Sequence, residues 1–341
     1  MRIGIAGAGR IGAYHANTLT NLPGVDEVVL ADAFPDVARR AAEEVGVTYS
    51  ANVETMLDRI DALVITSPTT THGDLIRAGI AAGLPTFCEK PVAASLDEAI
   101  ELARLERRSE VPLQIGFQRR FDAGYRRARQ AVASGRLGFI HTVRACSLDT
   151  APPPEDYIRV SGGLFRDCNI HDFDAIRYVT GVEAKVAYAV GGNKGTSYIA
   201  EADDIDTGMG IFTMADGTLV TFSGSRENSY GHDVRMEVHG SLGDVAVGLD
   251  ESLALESAEQ DVAWPTGPRV VNFMDRFLPA YQVELAAFLD VARGQISSPC
   301  TVFDGVQALR MADACDRSRR EGRPVRLDEI AGADLAEDGA R

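Results

Sequence analysis

The 341-residue chain has a single tryptophan, five cysteines and no long apolar run. Cys88, Cys146, Cys168, Cys300 and Cys315 are an odd set without CxxC spacing. That argues against a disulfide framework or a zinc site and predicts reduced thiols. No apolar stretch approaches the roughly 18–20 residues that cross a bilayer. A strand begins at Arg2, leaving no room for a charged region and a separate apolar signal segment. The expectation is a soluble, cytoplasmic protein with no membrane partner. Positive charge is also scarce. With 34 Lys+Arg against 50 Asp+Glu, the formal net charge is −16, which argues against a nucleic-acid partner. One basic stretch, "RRFDAGYRRAR" (119–129), reads as a solvated helix face carrying one or two functional arginines.

What is present is an ordinary globular balance, 45% hydrophobic and 25% charged. Single cores rarely grow beyond about 250–300 residues, so this length predicts two domains. Up to residue 120, short apolar runs alternate with helix-like segments. "RIGIA" (2–6), "EVVLA" (27–31), "ALVIT" (62–66), "PTFCE" (85–89) and "LQIGF" (113–117) read as buried parallel strands of βαβ units. Ser95 with Glu98 forms a capping-box signature for the helix that follows.

Beyond residue 120 the texture changes. A helix ends at Gly135, "FIHTVRACSLD" reads as a strand, and "APPPEDY" (151–157) is too proline-rich for anything but a loop. A helix spans 163–181 and is closed by Gly181. Strand signals dominate 184–256, with Asp216-Gly217 as a hairpin turn, so a largely antiparallel sheet is expected. Helices near 279–293 and 304–320 finish the fold. The predicted division is a dinucleotide-binding domain over 1–120, a substrate-binding and oligomerisation α/β domain over 121–330, and a loose tail over 331–341.

"IAGAGRIGAYH" (5–15) places Gly7, Gly9 and Gly12 directly after a strand and at the opening of a helix. A GxGxxG run alone is a weak signal, but this is the context the dinucleotide motif requires. Gly7 permits the tight turn, Gly9 lets the backbone approach a pyrophosphate, and Gly12 lets helix and strand pack closely. Arg10 and Ile11 lie in the same turn, whose helix N-terminus favours an anion. Asp32 ends the second strand, where a carboxylate bonds the ribose hydroxyls and repels a 2′-phosphate. NAD is therefore favoured over NADP, unless a nearby cation such as Arg39 softens the preference. The alternative is an ordinary glycine turn beside an incidental acid.

"TSPTTTH" (66–72) and "CEKP" (88–91) leave the next two strands at the same carboxyl edge, where open α/β sheets bind ligands. Thr66, Ser67, Pro68, His72 and Glu89 are candidates to line the cofactor, and Lys90 to carry its ammonium into the cleft. Thr70 or Thr71 as a helix cap and Lys90 as a surface charge are the plainer readings. Pro91 allows a cis peptide. On an ideal helix of about 100° per residue, Asp167, His171 and Asp174 of "GLFRDCNIHDFD" share one face. Asp167 and His171 are an i,i+4 pair in which a carboxylate can orient an imidazole. A metal site on these residues is the weaker reading, because hydride transfer to nicotinamide needs no metal.

Together, "GAGRIGAYHA", "ADAFPDVA", "TSPTTTH", "CEKPVAASLDEA", "GFQRRFDAGY" and "SGGLFRDCNIHDFD" resemble the Gfo/Idh/MocA oxidoreductases, and within them the bacterial inositol 2-dehydrogenases. The resemblance runs to about residue 327. It implies a Rossmann domain, then an α/β domain whose open sheet mediates homodimers or homotetramers. It also implies Lys90, Asp167 and His171 as the catalytic set, and NAD-dependent oxidation of a cyclic polyol or sugar. His171 as base with Lys90 on the same oxygen is the preferred assignment, and the reverse stays open. Gln118, Arg119, Asp149, Asn169, Asp174 and Tyr230 are polar candidates for the remaining hydroxyls. Two departures stand out. "SLDTAPPP" (147–154) replaces a His-Arg-Asn run of some inositol dehydrogenases, and Gln118 replaces a common methionine. A related pyranose dehydrogenase is the alternative, and a non-catalytic dinucleotide sensor a distant one. Trp264 sits in a loop that either closes over the site or simply packs.

Overall fold

A computed structural model describes residues 1–337. The chain forms two compact units. The first comprises Met1–Gln118 with Tyr281–Val306, the second Arg119–Ala280 with Gln307 onward. The reading of 121–330 as one uninterrupted domain is thereby corrected, since residues 281–306 pack with the first unit.

In the first unit the order is β1 (Arg2–Ala6), α1 (Arg10–Thr20), β2 (Glu27–Ala31), α2 (Pro35–Val45), β3 (Thr48–Tyr49), α3 (Val53–Leu57), β4 (Ala62–Ile65), α4 (His72–Ala81), β5 (Thr86–Glu89), α5 (Leu96–Arg108) and β6 (Leu113–Gly116). The six strands lie in the order β3-β2-β1-β4-β5-β6, all parallel. The chain moves outward from β1 in both directions, so the carboxyl ends of β1 and β4 flank the topological switch point where such sheets bind ligands. The five strands read from the sequence are present. The short β3 escaped notice because "TY" carries no run of apolar residues.

Local chemistry sets the helix ends. Pro35 opens α2, Gly46 closes it in the left-handed conformation, and the Ser95 hydroxyl accepts from the Glu98 amide at the start of α5. Ile3, Ile5, Leu30, Val64 and Phe87 form the core, and Leu285, Phe288 and Leu289 of the returning segment pack into it.

The second unit contains α6 (Ala123–Ala133), β7 (Ile140–Leu148), α7 (Glu155–Ile158), a helical segment over Phe165–Asn169 that runs into α8 (Ile170–Thr180), β8 (Ala184–Gly192), α9 (Ser197–Glu201), β9 (Thr207–Met214), β10 (Leu219–Ser225), β11 (Asp233–Gly240) and β12 (Asp244–Val247). Helices α10 (Phe273–Ala292) and α11 (Val302–Glu321) each run from one unit into the other, and β13 (Val325–Arg326) and α12 (Asp334–Glu337) complete the described chain. The sheet order is β12-β11-β7-β10-β9-β8-β13, antiparallel except for β7 with β10. Phe173 of α8 packs edge-on to Phe212 and Phe222, with centroids 5.2 and 4.9 Å away, sealing one face of the sheet. The alternating residues of the other face, among them Val190, Met209 and Ile211, are exposed.

Two local expectations need correction. Residues 155–158 of the expected proline-rich loop form the turn of α7, because Pro154 can precede a helix although it cannot continue one. The expected tail over 331–341 contains α12 with Leu335 buried, so its apolar residue is anchored. Positions 338–341 lie outside the described residues. No helix among the described residues is long and apolar enough to cross a membrane.

Candidate active site

The three glycines at the switch point meet three different constraints. Gly7 has φ +107°, and its amide donates to the Ala31 carbonyl at 2.8 Å. A Cβ on Gly12 would stand 1.9 Å from the Gly7 oxygen, so helix α1 packs there on bare backbone. Gly9 is different, because a Cβ there would meet nothing within 4 Å. It caps the N-terminus of α1, which has no side-chain cap and no acidic residue in its first turn. The N-terminus of α1 therefore carries no acid of its own beside the open space at Gly9, a setting for an anion. Arg10 is exposed beside this turn and Ile11 is half-buried.

Asp32 accepts from the Ala8 amide at 2.8 Å and the Phe34 amide at 3.0 Å, which fixes its carboxylate beside the turn. Each carboxylate oxygen retains acceptor capacity for a ribose hydroxyl. Arg39 pairs with Asp36 and Glu43 on its own helix, leaving Asp32 to set the local charge.

The Thr66 hydroxyl donates to the Gly7 carbonyl at 2.7 Å, so this residue supports the glycine turn from behind. Ser67 and Thr71 share a hydroxyl hydrogen bond, and Thr71 also bonds the Pro68 carbonyl. His72 is buried, with Nδ1 2.8 Å from the Pro91 carbonyl and Nε2 2.9 Å from the Ser67 carbonyl. His72 thus sits between the Ser67 and Pro91 loops, its ring within hydrogen-bond distance of a carbonyl on each. Glu89, half-buried, meets buried His15 at 2.7 Å. Lys90 follows at the end of β5, half-buried, in a cis peptide with Pro91.

The second unit carries the other candidates. Phe165–Asn169 is a π-helical turn, so the ideal 100° wheel fails across it. Asp167 and His171 are half-buried near the start of the helix, whereas Asp174 is buried and bonded by Arg120 at 2.6 and 2.9 Å. The expected common face of Asp167, His171 and Asp174 is thereby corrected. Asp167 Oδ1 accepts from the Tyr157 hydroxyl at 2.8 Å, and Oδ2 pairs with Arg226 at 2.9 Å. Asp149 lies 3.5 Å from the Cys168 sulfur and 3.2 Å from His232 Nδ1.

Three further substrate candidates already have protein partners. Arg119 is buried against Asp172 at 2.5 Å and Ser147 at 2.8 Å. Asn169 is wholly buried, its amide donating to Asp172 and to the Ser223 carbonyl. Tyr230 bonds Glu256 at 2.5 Å and stacks under Arg269. Gln118 is buried at the end of the first unit, and Trp264 is partly exposed. The "RRFDAGYRRAR" run therefore splits. Arg119 and Arg120 are internal, and Arg126, Arg127 and Arg129 face solvent. Arg226, Tyr157 and Asp204 escaped the sequence reading, because isolated polar residues far apart in the chain leave no spacing signal.

Comparison with known proteins identifies the family. Residues 1–117 match the oxidoreductase family with an NAD-binding Rossmann fold, and residues 125–246 match the GFO/IDH/MocA C-terminal domain. The chain belongs to the Gfo/Idh/MocA family. It is 36% identical to a myo-inositol 2-dehydrogenase of Thermotoga maritima, over 97% of this chain and 100% of that protein. The crystal structure of a myo-inositol dehydrogenase from Corynebacterium glutamicum superposes with a TM-score of 0.86 at 36% identity, covering 96% of this chain and 98% of that one. A scyllo-inositol dehydrogenase from Lactobacillus casei, solved with NAD(H) and scyllo-inositol, gives 0.87 at 28% identity over 96% and 99% of the two chains.

As a member of this family, the chain is an NAD-dependent oxidoreductase acting on CH–OH groups. Its residues fit the cofactor. The uncapped N-terminus of α1 with open space at Gly9 would receive the pyrophosphate, and Asp32 the adenosine ribose.

Proposed function

We propose that this protein is an inositol 2-dehydrogenase that oxidises myo-inositol to the 2-keto compound with NAD. The observation that carries the reading is the glycine turn at the N-terminus of α1 with the Asp32 carboxylate fixed beside it. It occurs in a chain similar over nearly its full length to inositol dehydrogenases. Bound NAD would supply the hydride acceptor. The remaining work falls to the protein. His171 takes the hydroxyl proton as general base, supported by the Asp167 carboxylate. Lys90, which the family resemblance implies as a catalytic residue, supplies a cation to stabilise developing negative charge. Asp149 and Gln118 hold further hydroxyls, each of which would cost about 1–3 kcal/mol if buried unpaired.

A homodimer or homotetramer built through the exposed face of the second sheet, in the cytoplasm, completes the proposal. Tyr188, Val190, Met209, Ile211 and Leu219 give that face an apolar character that supports self-association. Ile211→Asp should convert the oligomer to monomer in light scattering.

The test is NADH formation on myo-inositol, scyllo-inositol, D-glucose and D-xylose, repeated with NADP. Turnover of myo-inositol with NAD, lowered at least about a hundredfold in His171→Ala with NAD affinity kept, is the expected result. Activity on a pyranose alone would keep the mechanism and shift specificity to the 147–154 loop. Tight NAD binding without turnover of any substrate would overturn the reading in favour of a dinucleotide sensor.

A further inference from the structure

Arg226 follows the end of β10 and is 1% exposed, among the most deeply buried charges in the second unit. Its amide donates to the Asp206 carbonyl at 2.8 Å, which fixes the backbone. Nη1 lies 2.9 Å from Asp167 Oδ2 and Nη2 lies 3.5 Å from Asp204 Oδ2. Asp204 is held in turn, because its Oδ1 accepts from the Leu164 amide at 2.9 Å, just before the π-helical turn. The other oxygen of Asp167 takes the Tyr157 hydroxyl. A guanidinium keeps its charge at any pH a protein survives. It is thus a permanent cation between two carboxylates, one of which lies four residues before His171.

We infer that Arg226 is a positioning residue for the Asp167–His171 pair: it holds the Asp167 carboxylate in place and draws on its charge, so that His171 remains neutral and able to accept the alcohol proton. The inference rests on the proposed role of that pair. A carboxylate with no cation beside it would favour imidazolium, which cannot act as a base. Arg226 opposes that effect while keeping Asp167 ionised. Tyr157 shares Oδ1 as a neutral donor, because burial and then the Asp167 charge push its phenol well above the ordinary range. Further titratable groups near Asp167 include Cys168 of the π-helical turn, Asp204, and beyond Cys168 the Asp149–His232 contact.

The test reads the His171 imidazole directly by 15N NMR titration of the apo protein, with assignment from His171→Gln, alongside the pH profile of kcat. Arg226→Met should raise the His171 midpoint by at least about one pH unit, a tenfold gain in proton affinity, and move the acidic limb of kcat upward equally. Arg226→Lys should restore most of the wild-type midpoint. A folded Arg226→Met protein with an unmoved midpoint overturns the inference. If Arg226→Met fails to fold, the half-exposed Tyr157→Phe carries the test. It should raise the midpoint by a smaller amount, and no movement there overturns the inference. Wild-type turnover in His171→Ala would instead overturn the catalytic reading and leave the NMR result to judge Arg226 separately.

Discussion

Gly9→Ala separates a ligand-binding glycine from a structural one. The backbone at Gly9 has φ −70° and ψ −171°, which any residue adopts, and the added Cβ meets no protein atom within 4 Å. Stability of the apo protein should therefore change by no more than about 0.5 kcal/mol. The methyl group would occupy the space at the N-terminus of α1 that the pyrophosphate needs. Losing one hydrogen bond to a charged group costs about 1.5–3 kcal/mol, so NAD should bind roughly 10- to 150-fold more weakly. Gly12→Ala is the contrast. Its Cβ would lie 1.9 Å from the Gly7 oxygen and 2.8 Å from Thr66 Oγ1, so backbone must move and the apo protein should lose about 1–3 kcal/mol. Urea unfolding and NAD calorimetry on both variants read the two effects independently. Wild-type NAD affinity in Gly9→Ala would refute the assignment of the turn to the pyrophosphate. Equal destabilisation of the two apo variants would refute the open space at Gly9.

Asp32→Asn keeps an acceptor for the Ala8 or Phe34 amide but removes the charge, so the kcat/KM preference for NAD over NADP should fall about tenfold or more; an unchanged ratio would refute the charge argument. Arg119→Met strands the buried Asp172 carboxylate with only Ser147 and Asn169, and urea unfolding should register a loss of about 3–5 kcal/mol; less than about 1 kcal/mol would contradict the ion pair. Burial pushes the Glu106 carboxyl up to about 7, above its ordinary 4.5. The folded state thus binds the proton more tightly, and this stabilisation is complete below about pH 4.5 and lost as pH rises through 7. Glu106→Gln should flatten the stability profile between pH 4.5 and 7, by at most about 3 kcal/mol, and an unaltered slope in urea midpoints would refute it.

Much of this protein can be read along the chain because its signals are local. Gly7, Gly9 and Gly12 sit within six positions, Ser95 caps through Glu98, and the apolar runs that become β1, β2, β4, β5 and β6 stay contiguous because strands buried on both faces need no polar alternation. The positions of Asp32 and Lys90 were legible because each directly follows a strand at the carboxyl edge of a parallel sheet. Tertiary structure decided the rest. Helical spacing could not show that a π-helical turn separates Asp174 from Asp167, because that turn departs from the ideal helix on which the spacing was read. Nor could composition tell Arg119 and Arg120, neutralised by Asp172 and Asp174 some fifty residues away, from the solvent-facing arginines that follow them. Burying a cation requires a carboxylate brought to it by the fold, and only the folded chain shows which arginines have one. The same holds for Arg226. Its sequence neighbours say nothing of Asp167 and Asp204, which reach it only when β10, the π-helical turn and the loop after α9 come together.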